Sequence, residues 1–461
     1  MLDVAEQLET VMPTALTGTV ARTVGMTISV AGFPAPVGAV AEIQRESGQP
    51  LLAEVIGFRD EMTLLHPHSD AAGVRHGNRV RLKRTTRWLR VGDGLLGRVI
   101  DANGVAVDGR FQPELQERTS FSQSPPHPCR RPRIDRPLST GVRVIDGLLT
   151  CGKGQRLGIF SGSGVGKSVL LGMMARYTSA DVIIIALIGE RGREVNEFIQ
   201  RDLGDGLAKS VVVVATSNEP ALLRVQAAST ATAIAEYYRD EGKDVLLLMD
   251  SLTRLAFAQR EIGLAAGEPP TTRGYPPSVF GTLPKLLERA GRSPKGSITA
   301  FYTVLVEADD PTEPISDAVR GLLDGHVWLS RALASRAHYP AVDVLESLSR
   351  LMPEVIDKEH LEAAYTLREL LAVYRDHQDL ISVGAYRQGS NKKVDLAIEM
   401  LDDFNRYLRQ PVEQPSTLEE SREGLQQLHR QCMKRLHAEQ TSQPMAGQPN
   451  QSPIQTPAAR R

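Results

Sequence analysis

The chain has 461 residues, room for roughly two to four domains, and its 54 basic and 55 acidic residues nearly cancel. This balance gives no general reason to expect nucleic acid or an anionic membrane as the main partner. Three widely spaced cysteines offer neither a disulfide framework nor a metal-binding spacing, and no apolar run reaches the ~20 residues of a membrane span. The start of the chain lacks the pattern of a signal peptide, so we expect a cytoplasmic protein.

Residues 1–17 predict a docking segment for a partner protein. Val4, Leu8 and Val11 recur at helical spacing, although the segment is short and has little domain to pack on. A frayed terminus explains the same pattern equally well, and both interpretations stay open.

Residues 18–90 predict a small β-barrel domain. Short β-rich runs alternate here with Gly and Pro, which is the pattern of a small all-β domain. The runs cover 18–24, 26–30, 39–43 and 52–56.

A basic run at the end of this domain surrounds Trp88. A nucleic-acid surface would need several aromatic side chains among the charges, and Trp88 is the only one nearby. We therefore interpret the run as a solvated strand edge or linker and expect no nucleic-acid partner. Its basic residues are Arg79, Arg81, Lys83, Arg84, Arg87 and Arg90.

Residues 91–352 predict a nucleotide-binding α/β domain. After a proline-rich connector at 121–137, apolar runs alternate with helical patterns, as in a parallel sheet covered by helices. The candidate strands are 155–160, 182–188, 210–215, 245–249 and 298–306. The candidate helices are 167–177, 193–202, 221–239 and 252–262.

Residues 353–440 predict a C-terminal helical domain. Apolar stripes indicate helix throughout 354–410, and 417–439 adds an amphipathic helix. The segment 441–461 is rich in Gln, Pro, Ser and Ala and has no apolar periodicity, so we expect a disordered tail.

A glycine-rich stretch follows the first strand of the α/β domain and opens a helix, which is the layout of a phosphate-binding loop. Glycines let backbone N–H groups converge on phosphate oxygens, and the helix directs its positive end toward the same anion. Lys167 would reach the phosphates of ATP and Ser168 would bind Mg²⁺. Ser161 replaces the first Gly of the usual pattern, but it is small, so we expect a working loop. The loop consists of Gly162, Ser163, Gly164, Val165, Gly166, Lys167 and Ser168.

Two further strands end in acidic residues. Glu190 follows the strand ending at Ile188, where it could orient the attacking water, and Arg191 could hold the released phosphate. Asp250 follows the apolar strand 245–249 and would act on Mg²⁺ through water. Arg254 lies one helical turn further on, where it either faces the phosphate site or is a helix-surface charge.

Five motifs of the chain belong together. They are Ser161-Gly-Ser-Gly-Val-Gly-Lys-Ser168, Gly189-Glu-Arg-Gly-Arg-Glu-Val195, Asp250-Ser-Leu-Thr-Arg254, Gly274-Tyr-Pro-Pro-Ser-Val-Phe280 and His338-Tyr-Pro-Ala-Val-Asp343. Together they resemble the ATPase of type III protein export, which is similar to the catalytic subunit of rotary ATP synthases. The resemblance runs from about residue 15 to 410 and implies a RecA-like P-loop ATPase core with an N-terminal β-barrel and a C-terminal helical domain.

The resemblance also implies roles for individual residues. Lys167 and Ser168 would bind phosphate and Mg²⁺, Glu190 would activate water, and Asp250 would assist the metal. Tyr339 would stack on the adenine. Arg350 would be an arginine finger that reaches the nucleotide of a neighbouring subunit in a homohexamer.

The partners implied by the resemblance belong to protein export. A stalk or regulatory protein would dock at the N-terminus, and export chaperones and substrates would meet the C-terminal domain. The protein would work at an export gate, cytoplasmic and peripheral to the inner membrane. Segments 169–177 and 383–390 resemble the flagellar branch more than the virulence injectisome, which remains the alternative.

Two functions of other classes stay open. An RNA-translocating hexamer of the transcription-termination type joins a similar core to a small β domain, but it would need a base-stacking surface near 18–90. A non-catalytic nucleotide-binding subunit would only hold an assembly together, and it would have no need of the carboxylate of Glu190.

Overall fold

The computed structural model describes residues 16–46, 48–306 and 313–441. The predicted docking helix and nearly all of the predicted disordered tail lie outside the described residues. Within them, a β-barrel is followed by a sheet covered with helices and then by a group of long helices.

The barrel contains six strands, closed in the order β1-β2-β5-β4-β3-β6. The barrel closes where Gly18 of β1 pairs with Val80 of β6. Gly18 also lies close to Phe33, since a Cβ atom at this position would be 2.6 Å from the Cβ of Phe33. The inward-facing side chains form a separate apolar core that includes Ile28 and Leu65. The strands are β1 (Thr17–Val24), β2 (Thr27–Ala31), β3 (Val40–Ile43), β4 (Leu51–Arg59), β5 (Met62–Pro67) and β6 (Arg79–Arg84).

The basic run lies mainly on β6, where Arg79, Arg81 and Lys83 alternate with buried or partly buried apolar residues and face solvent, as predicted. The strand is not an edge, however, because β6 pairs with both β1 and β3 in the closed barrel. Arg87 is an exception. Its side chain is only 8 % exposed, pairs with Glu54 of the barrel at 3.1 Å and lies over the ring of Phe121 at 4.5 Å. Arg87 therefore joins the barrel to the next domain rather than extending a solvated surface.

Beyond the barrel, β7 (Trp88–Val91) pairs with β9 (Glu117–Ser120). The large sheet then has the order β19-β18-β12-β17-β15-β13-β14-β8, with the short β16 beside β17. Seven of these strands run parallel, and β16 and β19 are antiparallel to their neighbours. The strands are β8 (Arg98–Asp101), β12 (Arg156–Ser161), β13 (Val182–Ile188), β14 (Ser210–Ala215), β15 (Asp244–Asp250), β16 (Gly291–Arg292), β17 (Ser297–Leu305), β18 (Gly325–Leu329) and β19 (Val342–Ser349); the short β10 (Pro137–Leu138) and β11 (Cys151–Gly152) form a separate pair.

Helices cover the sheet on both faces, so its central strands β13, β14 and β17 are buried along nearly their whole length, as predicted. The helices of this region are α1 (Arg143–Leu148), α2 (Lys167–Tyr177), α3 (Gly192–Glu197), α4 (Ala221–Asp240), α5 (Leu252–Ala266), α6 (Pro277–Leu287), α7 (Pro314–Leu322), α8 (Arg331–Ser335) and α9 (Met352–Val355). The predicted helix 193–202 is α-helical only as far as Glu197, after which the hydrogen bonding changes to the wider π pattern over Phe198–Leu203.

The C-terminal helices are α10 (Lys358–Ser382), α11 (Lys392–Leu408) and α12 (Leu418–Thr441). The prediction of helix throughout 354–410 is wrong between α10 and α11. Gly384 and Gly389 adopt φ angles of 71° and 89° there, which glycine reaches without steric strain, and the chain turns back. The helix α10 ends before this turn, so α10 and α11 pack side by side.

One apolar core joins these helices to the face of the sheet that carries α2. It runs from Leu171 on α2 through Leu367 on α10 to Phe404 on α11 and Cys432 on α12. The C-terminal helices are thus packed against the nucleotide-binding unit. In the described part of the chain, no helix combines the length and the apolar content required to cross a bilayer.

Candidate active site

Three predicted site elements meet at one edge of the large sheet. Because β12, β13 and β15 run parallel, the loop after β12, Glu190 after β13 and Asp250 at the end of β15 all lie at the carboxyl edge. The strand β17 separates β12 from β15. Ligands of open α/β sheets bind at this edge, where the strand order reverses.

The glycine-rich loop adopts conformations that require its glycines. Gly164 and Gly166 have φ angles of 78° and 91°, in the region that side-chain-bearing residues rarely adopt. Gly166 precedes the first residue of α2, Lys167, so the helix begins inside the loop and directs its positive end toward it. A Cβ at Gly166 would also lie 3.5 Å from the ring of Tyr339.

Lys167 connects the loop to both carboxylates. Its Nζ pairs with Oδ1 of Asp250 and lies 3.8 Å from Oε1 of Glu190. The hydroxyl of Thr303, on β17, donates to the same Oδ1 of Asp250 at 2.7 Å. The ammonium group of Lys167 is therefore held among carboxylates at the place where phosphates would compete for it.

Glu190 is 9 % exposed, and its Oε1 accepts a hydrogen bond from Nε of Arg254 at 3.1 Å. Burial, followed by the negative charge of Asp250, raises the pKa of Glu190 to about 7, although Lys167 and Arg254 act in the opposite direction. A carboxyl group with a pKa near neutral is suited to accept a proton from water. The contact with Glu190 also places Arg254 in the site rather than on an outer helix surface.

A cavity of about 100 Å³ lies beside these groups and is lined by Ser168, Glu190, Glu194 and Asp250, among others. Its hydroxyl and carboxylate oxygens are the donors that Mg²⁺ prefers, so the residues fit this ion. Over the described ranges, no group of three or more His, Cys, Asp or Glu side chains is arranged to hold a metal by itself. Mg²⁺ often keeps several waters and shares its coordination with substrate phosphates, so such a group is not required.

The remaining predicted residues lie outside this cluster. Tyr339 is 45 % exposed and borders the loop at Gly166, where its ring can pack against a base. Arg191 extends into solvent with 74 % of its side chain exposed and has Glu194 at 3.5 Å as its ion-pair partner.

Arg350 lies at the other end of the sheet. Arg350 follows Ser349, the last residue of β19, which pairs with Gly325 at the start of β18. The phosphate-binding loop follows Ser161, the last residue of β12, which pairs with Leu329 at the end of β18. The length of β18 separates the two ends by about 13 Å. The exposed Arg350 therefore belongs to a different surface from the loop of its own chain.

Comparison with known proteins identifies the relatives of the chain. The model of the ATP synthase alpha/beta family, nucleotide-binding domain, matches residues 141–349, and that of the T3SS EscN ATPase C-terminal domain matches 356–427. The flagellum-specific ATP synthase of Bacillus subtilis is 53 % identical over 407 residues, which cover 88 % of this chain and 93 % of the relative.

The chain belongs to the family of flagellum-specific ATP synthases and type 3 secretion system ATPases. The type 3 secretion system ATPase of Xanthomonas euvesicatoria is 51 % identical, again over 88 % of this chain and 93 % of the relative. The assembled ATPase EscN of enteropathogenic E. coli, solved in complex with its central stalk EscO, superposes with a TM-score of 0.83 at 47 % identity, covering 89 % of this chain and 99 % of EscN. These matches confirm the predicted family and fold class.

Ser161, the departure from the usual loop pattern in this ATPase, is fully buried, and its hydroxyl has no hydrogen-bond partner among the described residues. An unpaired buried hydroxyl costs about 1–3 kcal/mol. We therefore expect Ser161→Ala to raise the free energy of unfolding by about 1 kcal/mol, measured by urea denaturation. Ser210→Ala is the matched control, because the equally buried hydroxyl of Ser210 donates to Gly206 and its removal should destabilise. Lower stability of Ser161→Ala would contradict the assignment.

Sequence patterns did not identify Thr303 or Glu194 as parts of the site. Thr303 lies within a run predicted only as an apolar strand, and the one available signal was a hydroxyl in that run. Its contact with Asp250 depends on the strand order, which places β17 next to β15. Glu194 belongs to the motif after β13, yet its position at the cavity depends on the turn of α3.

Proposed function

We propose that the chain is a Mg²⁺-dependent ATP hydrolase that energises protein export through a flagellar-type type III apparatus. The single observation that carries this proposal is the cluster of Lys167, Asp250 and Glu190 at one edge of the sheet, beside a loop shaped for phosphate. Family membership supports the nucleotide and the export function.

Each group has a distinct task in the proposed reaction. The loop amides and Lys167 bind the phosphates and neutralise charge as water attacks the γ-phosphate in line. Glu190, with its raised pKa, orients this water and accepts its proton, and Arg254 keeps the carboxylate in place. Ser168 and Asp250 would hold Mg²⁺, which supplies further charge neutralisation on the phosphates when it is bound.

Arg350 and Tyr339 complete the site in this proposal. Tyr339 stacks on the adenine next to the loop. Arg350 acts as an arginine finger on the nucleotide of a neighbouring copy, since it lies away from the loop of its own chain. Such an arrangement needs a ring, and we propose a homohexamer. The relative EscN has been described as an assembled ATPase, which supports this arrangement. The role of Arg191 in holding the released phosphate stays a prediction.

The proposed partners follow from the same family. The relative EscN is described in complex with its central stalk EscO, and we propose an equivalent stalk or regulatory partner here, docking at residues 1–17. Export chaperones and substrates would meet the helical domain 353–440, and the ring would work at an export gate, peripheral to the inner membrane. The proposed domain boundaries at 17, 90, 352 and 440 are part of this proposal.

The alternatives differ in what supports them. A role in a virulence injectisome remains the alternative to a flagellar role. The chain is almost equally similar to relatives of both kinds, with 53 % identity to a flagellar relative and 51 % to a secretion-system relative. An RNA-translocating ring has less support, because Arg87 is buried against Glu54 and Trp88 remains the lone aromatic side chain of the basic run. A passive nucleotide-binding subunit has no need of Glu190.

The test measures phosphate release from ATP against protein concentration, with molecular size followed in parallel. We expect Mg²⁺-dependent activity whose specific rate rises as the ring assembles, because an isolated chain lacks a neighbour's arginine finger. A specific activity that stays constant across the assembly transition would contradict the ring mechanism. Stimulation by RNA would favour the RNA-translocating alternative.

A further inference from the structure

Thr303 is a buried hydroxyl at the centre of the sheet. It is fully inaccessible to solvent and lies on β17, between the loop strand β12 and the Asp250 strand β15. Its register partner on β12 is Ile159, and most of its neighbours along β17 are apolar. A hydroxyl is costly in such surroundings unless it is hydrogen-bonded, and Thr303 is bonded to the carboxylate of Asp250 at 2.7 Å.

The contact fixes one particular oxygen of Asp250. Thr303 and Lys167 both reach Oδ1, so two donors together set the orientation of the carboxylate plane. When phosphates bind, Lys167 is drawn toward them, since the loop lysine contacts the β- and γ-phosphates. Thr303 then remains on Oδ1, and a β-branched side chain in a packed strand has little freedom to turn away.

We propose that Thr303 is a positioning residue for the metal site: it holds Oδ1 of Asp250 so that Oδ2 faces the hydration shell of Mg²⁺ after Lys167 has moved to the phosphates. The inference rests on the proposed function, because it needs Asp250 to act on the metal. It adds a residue that contacts neither phosphate nor metal and that acts only through Asp250.

The experiment separates binding of the nucleotide from binding of its metal. The affinity of the full-length protein for a fluorescent ATP analogue is measured in excess EDTA and in excess Mg²⁺, and the ratio of the two dissociation constants gives the metal-dependent gain. Thr303→Val keeps the shape of the side chain and removes the donor. We expect Thr303→Val to lower the metal-dependent gain about tenfold, the size of effect expected from losing a hydrogen bond to a charged group. The dissociation constant measured in EDTA should change by less than about twofold.

Two substitutions serve as controls for Thr303→Val. Thr303→Ser restores the donor and should restore the gain. Thr299→Val removes another buried hydroxyl from the same strand. This hydroxyl accepts a hydrogen bond from the backbone N–H of Gly154 and lies away from Asp250, so the metal-dependent gain should not change. If Thr303→Val does not fold, the comparison of Thr303→Ser with Thr303→Ala gives the same test, and only the Ala variant should lose the gain.

Asp250→Asn tells the two levels of the proposal apart. If it loses the metal-dependent gain while Thr303→Val keeps it, Thr303 only fills space and the inference is overturned, whereas the metal role of Asp250 stands. If Asp250→Asn keeps the full gain, the metal role of Asp250 is wrong, and the role of Thr303 fails with it. Loss of the gain in both variants, with rescue by Thr303→Ser, supports the positioning role.

Discussion

Glu190→Gln is expected to lower steady-state ATP hydrolysis by about 10²–10⁴-fold, the usual contribution of a positioned general base. Glutamine keeps the size of the side chain and an oxygen for Arg254, so the local structure should persist. It cannot accept a proton from water. Affinity for ATP, measured with a fluorescent analogue in Mg²⁺, should change by less than about threefold, because Glu190 lies beside the loop rather than within it.

The matched control for this substitution is Glu197→Gln. Glu197 lines the same cavity, but its side chain is 43 % exposed and pairs with Arg193 rather than with Lys167 or Arg254. Glu197→Gln removes one carboxylate from the cavity but leaves the buried carboxylate of Glu190 in place. Hydrolysis should therefore stay within about twofold of the unmodified protein. Normal turnover in Glu190→Gln would exclude Glu190 from the chemical step.

Local sequence patterns predicted five strands and three helices of the α/β domain closely because these segments have strong signals. The strand Val182–Ile188 and the helix Lys167–Tyr177 have the predicted bounds. An apolar run covered on both faces and a helix that opens from a glycine-rich loop are both local features. The prediction of a parallel sheet also placed the loop, Glu190 and Asp250 at one edge, because parallel strands have their carboxyl ends at the same edge.

Contacts between distant segments could not be predicted in the same way. Arg87 belongs to a basic run that suggested a solvated edge, but it is buried by Glu54 from the barrel and Phe121 from the connector. The helical pattern of 354–410 did not reveal the turn at Gly384, because apolar stripes continue on either side of it. The bond from Thr303 to Asp250 likewise depends on strand order.

Arg350→Ala is expected to lower hydrolysis by about 10³–10⁵-fold in the assembled ring and to remove the rise of specific activity with protein concentration. The reason is geometric. Arg350 follows β19 beside the start of β18, about 13 Å along that strand from the end beside which the loop lies, so we expect it to serve a nucleotide bound to another chain. Assembly itself should persist, and size measurements will check it.

Two substitutions control for the loss of a positive charge. Arg350→Lys keeps the charge but loses the planar, two-pronged geometry, so it should recover only part of the activity. Arg133→Ala removes a surface arginine that is 87 % exposed and pairs with Glu354, and hydrolysis should stay within about twofold. Full activity of Arg350→Ala would mean that the site is complete within one chain.

Mixing two inactive variants tests the arrangement directly. A Lys167→Ala chain lacks a working loop but carries an intact Arg350, whereas an Arg350→Ala chain has an intact loop and no finger. In a mixed ring, each interface that joins the intact loop to the intact Arg350 of its neighbour should hydrolyse ATP, so activity should reappear on mixing. If Arg350 acted on its own chain, neither subunit would contain a complete site and mixing would restore nothing. Recovery therefore requires that the finger cross a subunit interface.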